Sequence, residues 1–265
     1  MTTISGAEYI DGGIFDFTEG GYTPPTWSGS TYSFGAGVLG TINQIWTDSN
    51  YVYTATTQEL AIVSIETEQK YAYINQPSNT VWANDDRVFI GTTNGIKYFF
   101  KTCISGSATE AYDISPCLRT HNLKYGVLSS DIKYLHGYSD NWLAICTLSG
   151  IDIYKPEPQG YRSTASIDGV QKCFMTSTGK FYYTVSGTEW SLNRVDSPTM
   201  DWTTPDKSYI AGAEIFSGGL SINAIFVTEG TATDTINNVL FTATSSGIYA
   251  IEEGTELHNI YYTIL

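Results

Sequence analysis

Three carboxylates in this 265-residue chain fall where they could act together: Glu59, Asp131 and Asp168. Each sits in or beside a short polar turn between apolar, strand-like runs. Two or three acids converging on one pocket is what glycoside hydrolysis needs, one to protonate the leaving oxygen and another to activate water or attack the sugar. Nothing local ties these three to one another, and a chance scatter of acids accounts for them equally well. A glycosidase therefore stands behind the two readings given below.

Other chemistry has less support. Asp48, Asp85, Asp86 and Asp140 lie in turns rich in Asn and Ser. Hairpin chemistry explains them, because short polar side chains bond to turn backbone. Weak calcium binding stays open, although no EF-type spacing exists. His121, His136 and His258 are scattered and form no metal pattern. The four cysteines, Cys103, Cys117, Cys146 and Cys173, contain no CxxC pair, so zinc spacing is absent. Cys146 and Cys173 lie within apolar strand patterns and read as core residues. Cys103 and Cys117 flank a hairpin-like segment and could pair, with free thiols expected in a reducing compartment. No GxSxG, Walker or Rossmann glycine loop occurs. The expectation is no catalytic set, no metal and no cofactor.

The elements that would position such groups are written in a repeat. Val52–Val63 reads VYTATTQELAIV, Val88–Phe99 VFIGTTNGIKYF, Leu143–Tyr154 LAICTLSGIDIY and Leu240–Ile251 LFTATSSGIYAI. These four align without a gap: an apolar start, a small fourth residue (Ala55, Gly91, Cys146, Ala243), a fifth-position Thr (Thr56, Thr92, Thr147, Thr244), a turn, then an apolar strand. Phe181–Leu192, FYYTVSGTEWSL, is a weaker fifth copy. Upstream of each runs another apolar strand and a polar turn, and downstream a further strand: 70–74, 110–114, 161–167, 207–215 and 258–265. The small fourth residue fits a place where neighbouring inner strands approach closely. Hydrophobic residues make up 42% and aromatics 14%, with 20 Tyr, which favours a pleated, all-β protein with a packed core and almost no helix.

Four strands per unit and about 45 residues per unit match a β-propeller blade. The sentence Ile90-Gly91-Thr92-Thr93-Asn94-Gly95-Ile96 resembles the repeat of two-component-regulator-type propellers, and the other copies are similar in weaker form. The WD40 signatures are missing. The resemblance implies an all-β, five-bladed β-propeller of four-stranded antiparallel blades over 41–265, with blades at about 41–79, 80–128, 129–167, 168–217 and 218–265. It also implies ligand sites at one mouth of the central channel. It says little of activity, since such folds serve sensors, lectins, enzymes and scaffolds alike.

Residues 1–40 lack the repeat. Glycines and Pro24-Pro25 separate seven aromatics: Tyr9, Phe15, Phe17, Tyr22, Trp27, Tyr32 and Phe34. This reads as an extended N-terminal arm whose aromatics need a surface, on its own propeller or on a neighbouring subunit, and these residues are the candidate partner contacts. Formal net charge is −14, and the first basic residue is Lys70. An acidic chain repels phosphate, which argues against nucleic acid. No apolar stretch long enough to span a membrane and no Sec-type signal occur, so synthesis in a host cytoplasm without export by that route is expected. The expected function is a non-enzymatic structural propeller tied to other protein subunits by its arm. That profile resembles a virion protein of a tailed bacteriophage, in the tail or near the portal. The alternative is a carbohydrate-binding propeller used in host attachment, with Trp82, Trp142, Trp190 and Trp202 stacking on sugars.

Overall fold

A computed structural model describes residues 2–4, 7–9, 37–104, 110–121, 131–138, 142–155, 161–176, 181–186, 191–195, 207–210, 221–228, 239–244, 247–252 and 260–263. The chain forms two compact units, Met1–Phe34 and Gly35–Leu265. In the first, β1 (Thr2–Ile4) and β2 (Ala7–Tyr9) pair as an antiparallel hairpin with Thr2 opposite Tyr9. Thr2, Thr3 and Ile4 on one side and Tyr9 on the other are strand formers.

The second unit is built from antiparallel strands. The first sheet is β3 (Ile42–Thr47), β4 (Tyr51–Thr56), β5 (Leu60–Ser64) and β6 (Lys70–Ile74). The second contains β7 (Thr80–Ala83), β8 (Arg87–Thr92) and β9 (Gly95–Phe100). Two short strands follow, β10 (Tyr112–Asp113) and β11 (Arg119–Thr120). The third sheet is β12 (Ile132–Tyr138), β13 (Trp142–Thr147), β14 (Gly150–Lys155) and β15 (Tyr161–Ala165). The fourth is β16 (Val170–Met175), β17 (Phe181–Val185), β18 (Ser191–Val195) and β19 (Lys207–Ile210). The fifth is β20 (Ile222–Thr228), β21 (Val239–Thr244), β22 (Gly247–Glu252) and β23 (Ile260–Thr263). The inner strands pack in chain order, β3 on β7, β7 on β12, β12 on β16 and β16 on β20.

One strand is not where the sequence placed it. The second sheet takes its fourth strand from β11, not from residues 110–114, with Arg119 opposite Tyr98. Residues 112–113 instead form β10, which runs parallel to β6 at the outer edge of the first sheet. Packing explains the exchange. Ile114 is buried in the core between the first and second sheets, and the Tyr112 ring meets Tyr71 edge-on at 5.5 Å. The 3₁₀ turn Ser115–Cys117, with Pro116 in its first turn, then redirects the chain to β11.

The repeated Thr has a structural task. Thr92 Oγ1 donates to the Gly95 carbonyl at 2.9 Å and accepts from the Asn94 N–H at 3.0 Å. Thr56 and Thr147 hold their turns in the same way. Each hydroxyl fastens the hairpin between the second and third strands of its blade, and Gly95 supplies the left-handed φ of 102° that this turn requires. Thr92→Val deletes both bonds at a buried position. It should destabilise the protein by about 1–2 kcal/mol, read from the urea midpoint at unchanged m value.

Gly91 meets its expected role. A Cβ there would stand 2.3 Å from Thr80 Cγ2 and 2.7 Å from Ile132 Cγ2, so the inner strands of the second and third sheets leave no room for it.

Candidate functional site

Each inner strand points one residue at repeat position two of its own blade. Trp46 pairs with Tyr53, Trp82 with Phe89, His136 with Ala144, Phe174 with Tyr182 and Phe226 with Phe241. These five equivalent side chains form a chain of rings along the inner strands. Centroids lie 6.4 Å apart for Trp46–Trp82, 5.2 Å for Trp46–His136, 4.0 Å for His136–Phe174 and 5.5 Å for Phe174–Phe226. Among the described residues no ring contact joins Trp46 to Phe226, and the circuit is open between the first and fifth sheets. Aromatic packing, not carboxylate convergence, fills this level.

Polar latches join the inner strands. Gln44 Oε1 accepts from the Val81 N–H at 3.1 Å and from the Thr80 hydroxyl. Thr80 Oγ1 accepts in turn from the Leu135 N–H at 2.9 Å, and His136 Nδ1 from the Met175 N–H at 3.1 Å. An inner strand is a sheet edge, and these side chains occupy its free donors from the preceding blade. Nδ1 accepts, so the His136 proton sits on Nε2 and the ring is neutral. Burial depresses its pKa to about 3, against a smaller opposing pull from the Gly137 backbone.

The circuit has two unlike ends. Val81, Leu135, Cys173 and Ile225 are 0–4% exposed, but Ile45, at the same register, is 51% exposed. This register position faces the preceding sheet, as Val81, Leu135 and Cys173 show by their packing. Trp82, His136 and Phe174 are 3–8% exposed, but Phe226 is 55% exposed. Leu39 and Ile42 are exposed beside Ile45. Gln44 and Thr80 correspond in register to Ala224 of the fifth sheet, which has no side-chain acceptor for a latch.

The three acids are not brought together. Glu59 is buried in an ion pair with Lys70, Nζ lying 2.7 Å from Oε1, and also accepts from the Leu39 N–H at 2.9 Å. Lys70 Nζ reaches the Gly37 carbonyl at 3.0 Å as well, so Glu59 and Lys70 together fasten residues 37–39 to the first blade. Asp131 pairs with Lys133 at 2.7 Å and accepts from Asn79 Nδ2. Asp168 lies exposed in the turn before β16. Glu59→Gln should cost about 2 kcal/mol, because Lys70 loses its counter-charge in a half-dry site. It should also speed proteolysis at residues 37–41, seen by mass mapping.

Asp48 holds its own hairpin together. It caps the N–H groups of Asn50 and Tyr51, accepts from the Tyr53 hydroxyl and pairs with Lys101 at 2.6 Å. Burial pulls its carboxyl up, but Lys101 and these hydrogen bonds outweigh burial and hold it below the ordinary value. Asp85 and Asp86 sit in a turn where Asn84 Oδ1 accepts from the Asp86 and Arg87 N–H groups, and Asp140 lies outside the described residues. No cluster of three or more metal-ligating side chains occurs among the described residues. All four cysteines are free.

Of the arm aromatics, Tyr9 ends β2, and Phe15, Phe17, Tyr22, Trp27, Tyr32 and Phe34 lie outside the described residues. Trp82 is a core residue stacked on Phe89 at 5.6 Å and has no face free for a sugar. Trp142 begins β13, and Trp190 and Trp202 lie outside the described residues.

Known structures share this plan of sheets. The WD40 domain of Toxoplasma gondii coronin superposes with a TM-score of 0.54 at 13% identity, over 84% of this chain and 59% of that one. The fold is an all-β propeller. Kuenenia stuttgartiensis hydrazine synthase superposes with a TM-score of 0.58 at 8% identity, over 87% of this chain and 69% of that one. The chain thus spans less than two thirds of the coronin structure, and at these identities the likeness concerns the fold alone. No protein-family profile matches the sequence, and no curated protein matches it.

Proposed function

We propose that this chain is a non-enzymatic interaction module, a propeller that docks onto other protein subunits of a larger assembly. One observation carries the reading. Positions that the repeat buries in the middle blades stand open on the first and last: Leu39, Ile42 and Ile45 make an apolar rim on the first blade, and Phe226 is exposed on the last. Exposed apolar residues at positions the repeat otherwise buries mark contact sites. Residues 37–39, stapled by Glu59 and Lys70, belong to the blade that carries this rim.

The setting that fits the Gly- and aromatic-rich N-terminus and the acidic charge is a tailed-bacteriophage virion, in the tail or beside the portal, assembled in the host cytoplasm. Residues 1–40 are the tether in this reading. The test is sedimentation of the chain from its source, full length and with residues 1–34 deleted. The full chain should travel with a large particle and the deletion variant as free protein. Sedimentation of both as free protein would overturn the proposal.

A further inference from the structure

We propose that Cys103 and Cys117 are an oxidisable dithiol, and that their disulfide staples the excursion through which the second blade lends a strand to the first. The backbone brings the two residues together. β9 ends in the 3₁₀ turn Lys101–Cys103, and β11 returns antiparallel beside β9 with Arg119 opposite Tyr98. That register carries residue 117 back toward the end of β9 and the turn holding Cys103. Both side chains are half-buried, both pack on the core between the first two blades, and Cys117 is near enough to push the Cys103 thiol up.

Between them the chain crosses to the first blade, where β10 pairs with β6 and Ser115 Oγ accepts from the Asn75 N–H at 2.9 Å. A bond from Cys103 to Cys117 therefore closes the base of this crossing loop.

Cys146 and Cys173 make a contrasting pair. They too pack in one core cluster, but both are fully buried between the third and fourth blades, where burial, then Cys173, raises the Cys146 thiol well above its ordinary value. No solvent-borne oxidant reaches them in the folded protein.

The oxidant is a low-molecular-weight disulfide. One protein thiolate attacks a sulfur of that disulfide, whose S–S bond breaks and releases one small thiolate. The second protein thiol gives up its proton and attacks the protein-bound sulfur, expelling the second small thiolate as the Cys103–Cys117 bond forms. Two protein thiols lose two electrons in total, one small disulfide gains them, and the two protons pass to the small thiolates. Burial, then Cys117, push the Cys103 thiol up to about 11, with Arg119 pulling the other way. Closure at neutral pH is therefore slow, and it quickens as pH rises.

The test equilibrates the full chain with oxidised and reduced glutathione, followed by acid quench, digestion and mass mapping. One internal cross-link, Cys103 to Cys117, should form in the folded protein, leaving Cys146 and Cys173 as free thiols. The thermal midpoint should rise by roughly 6–12 °C, since a loop of about 15 residues is closed. Cys103→Ser and Cys117→Ser should each fold and lack that rise. Stable glutathione adducts on both cysteines without closure would overturn the proposal, as would a cross-link that forms only in denaturant or joins other cysteines.

Discussion

Gly137→Ala should destabilise this propeller by about 3 kcal/mol and lower its melting midpoint by roughly 6–12 °C. Gly137 follows His136 on the inner strand of the third blade, directly beneath the Trp82 ring of the second. A Cβ there would lie 2.0–2.2 Å from three carbons of that ring. The ring cannot swing aside cheaply, because it is buried and stacked on Phe89 with Trp46 beside it. Either the ring or the strand must shift, and both belong to the chain of aromatics that joins successive blades. A double variant isolates the cause. Trp82→Leu removes the ring at its own cost, and in that background Gly137→Ala should cost less than 1 kcal/mol. Additive losses in chemical denaturation would show that the clash is not between these two residues.

Acid should weaken the fold through His136. In the unfolded chain its pKa is near 6.5, whereas burial in the folded protein depresses it to about 3. Between those values the unfolded state binds the additional proton, so stability rises with pH across this window. The neutral ring's contribution is complete above pH 6.5 and is lost as pH falls toward 3. The expected loss is about 2 kcal/mol between pH 6.5 and pH 4.5. The structural event is specific. A proton on Nδ1 converts the acceptor of the Met175 N–H into a second donor and breaks the latch between the third and fourth blades. His121 adds a contribution of the same sign, its pKa being lowered by burial and then by Arg87. His136→Gln keeps a side-chain acceptor without a titrating proton. It should flatten most of the decline in urea midpoints between those pH values. An unchanged decline in the variant would place the acid sensitivity elsewhere.

The sequence made the propeller legible because four repeats align without a gap, and their shared Thr and small residue proved to be a turn clamp and a close-approach point. The ring of Trp46, Trp82, His136, Phe174 and Phe226 escaped notice for a geometric reason. The hairpin between first and second strands differs in length from blade to blade, so Trp46 and Phe226 stand at different distances from Val52 and Leu240. Only the strand register reveals that the five residues are equivalent. Glu59 did carry a signal. It stands where Gly95, Gly150 and Gly247 stand in sister repeats, and that departure marks a residue recruited to hold residues 37–39. The exchange of β10 to the first blade was not legible, because residues 110–114 and 119–120 both satisfy a short edge strand. The burial of Ile114 decides between them, and burial is a property of the assembled blades.

Amide hydrogen exchange, read at single residues in the isolated chain, tests the exposed rim of the first blade most directly. Val81 and Leu135 donate their N–H groups to side chains of the preceding blade, whereas Ile45, at the same register, is exposed, and the fifth sheet carries Ala224 where Gln44 and Thr80 provide latches. The Ile45 amide should exchange at least tenfold faster than those of Val81 and Leu135. Equal protection at all three would mean that the chain covers this face itself, and the proposed docking rim would not exist.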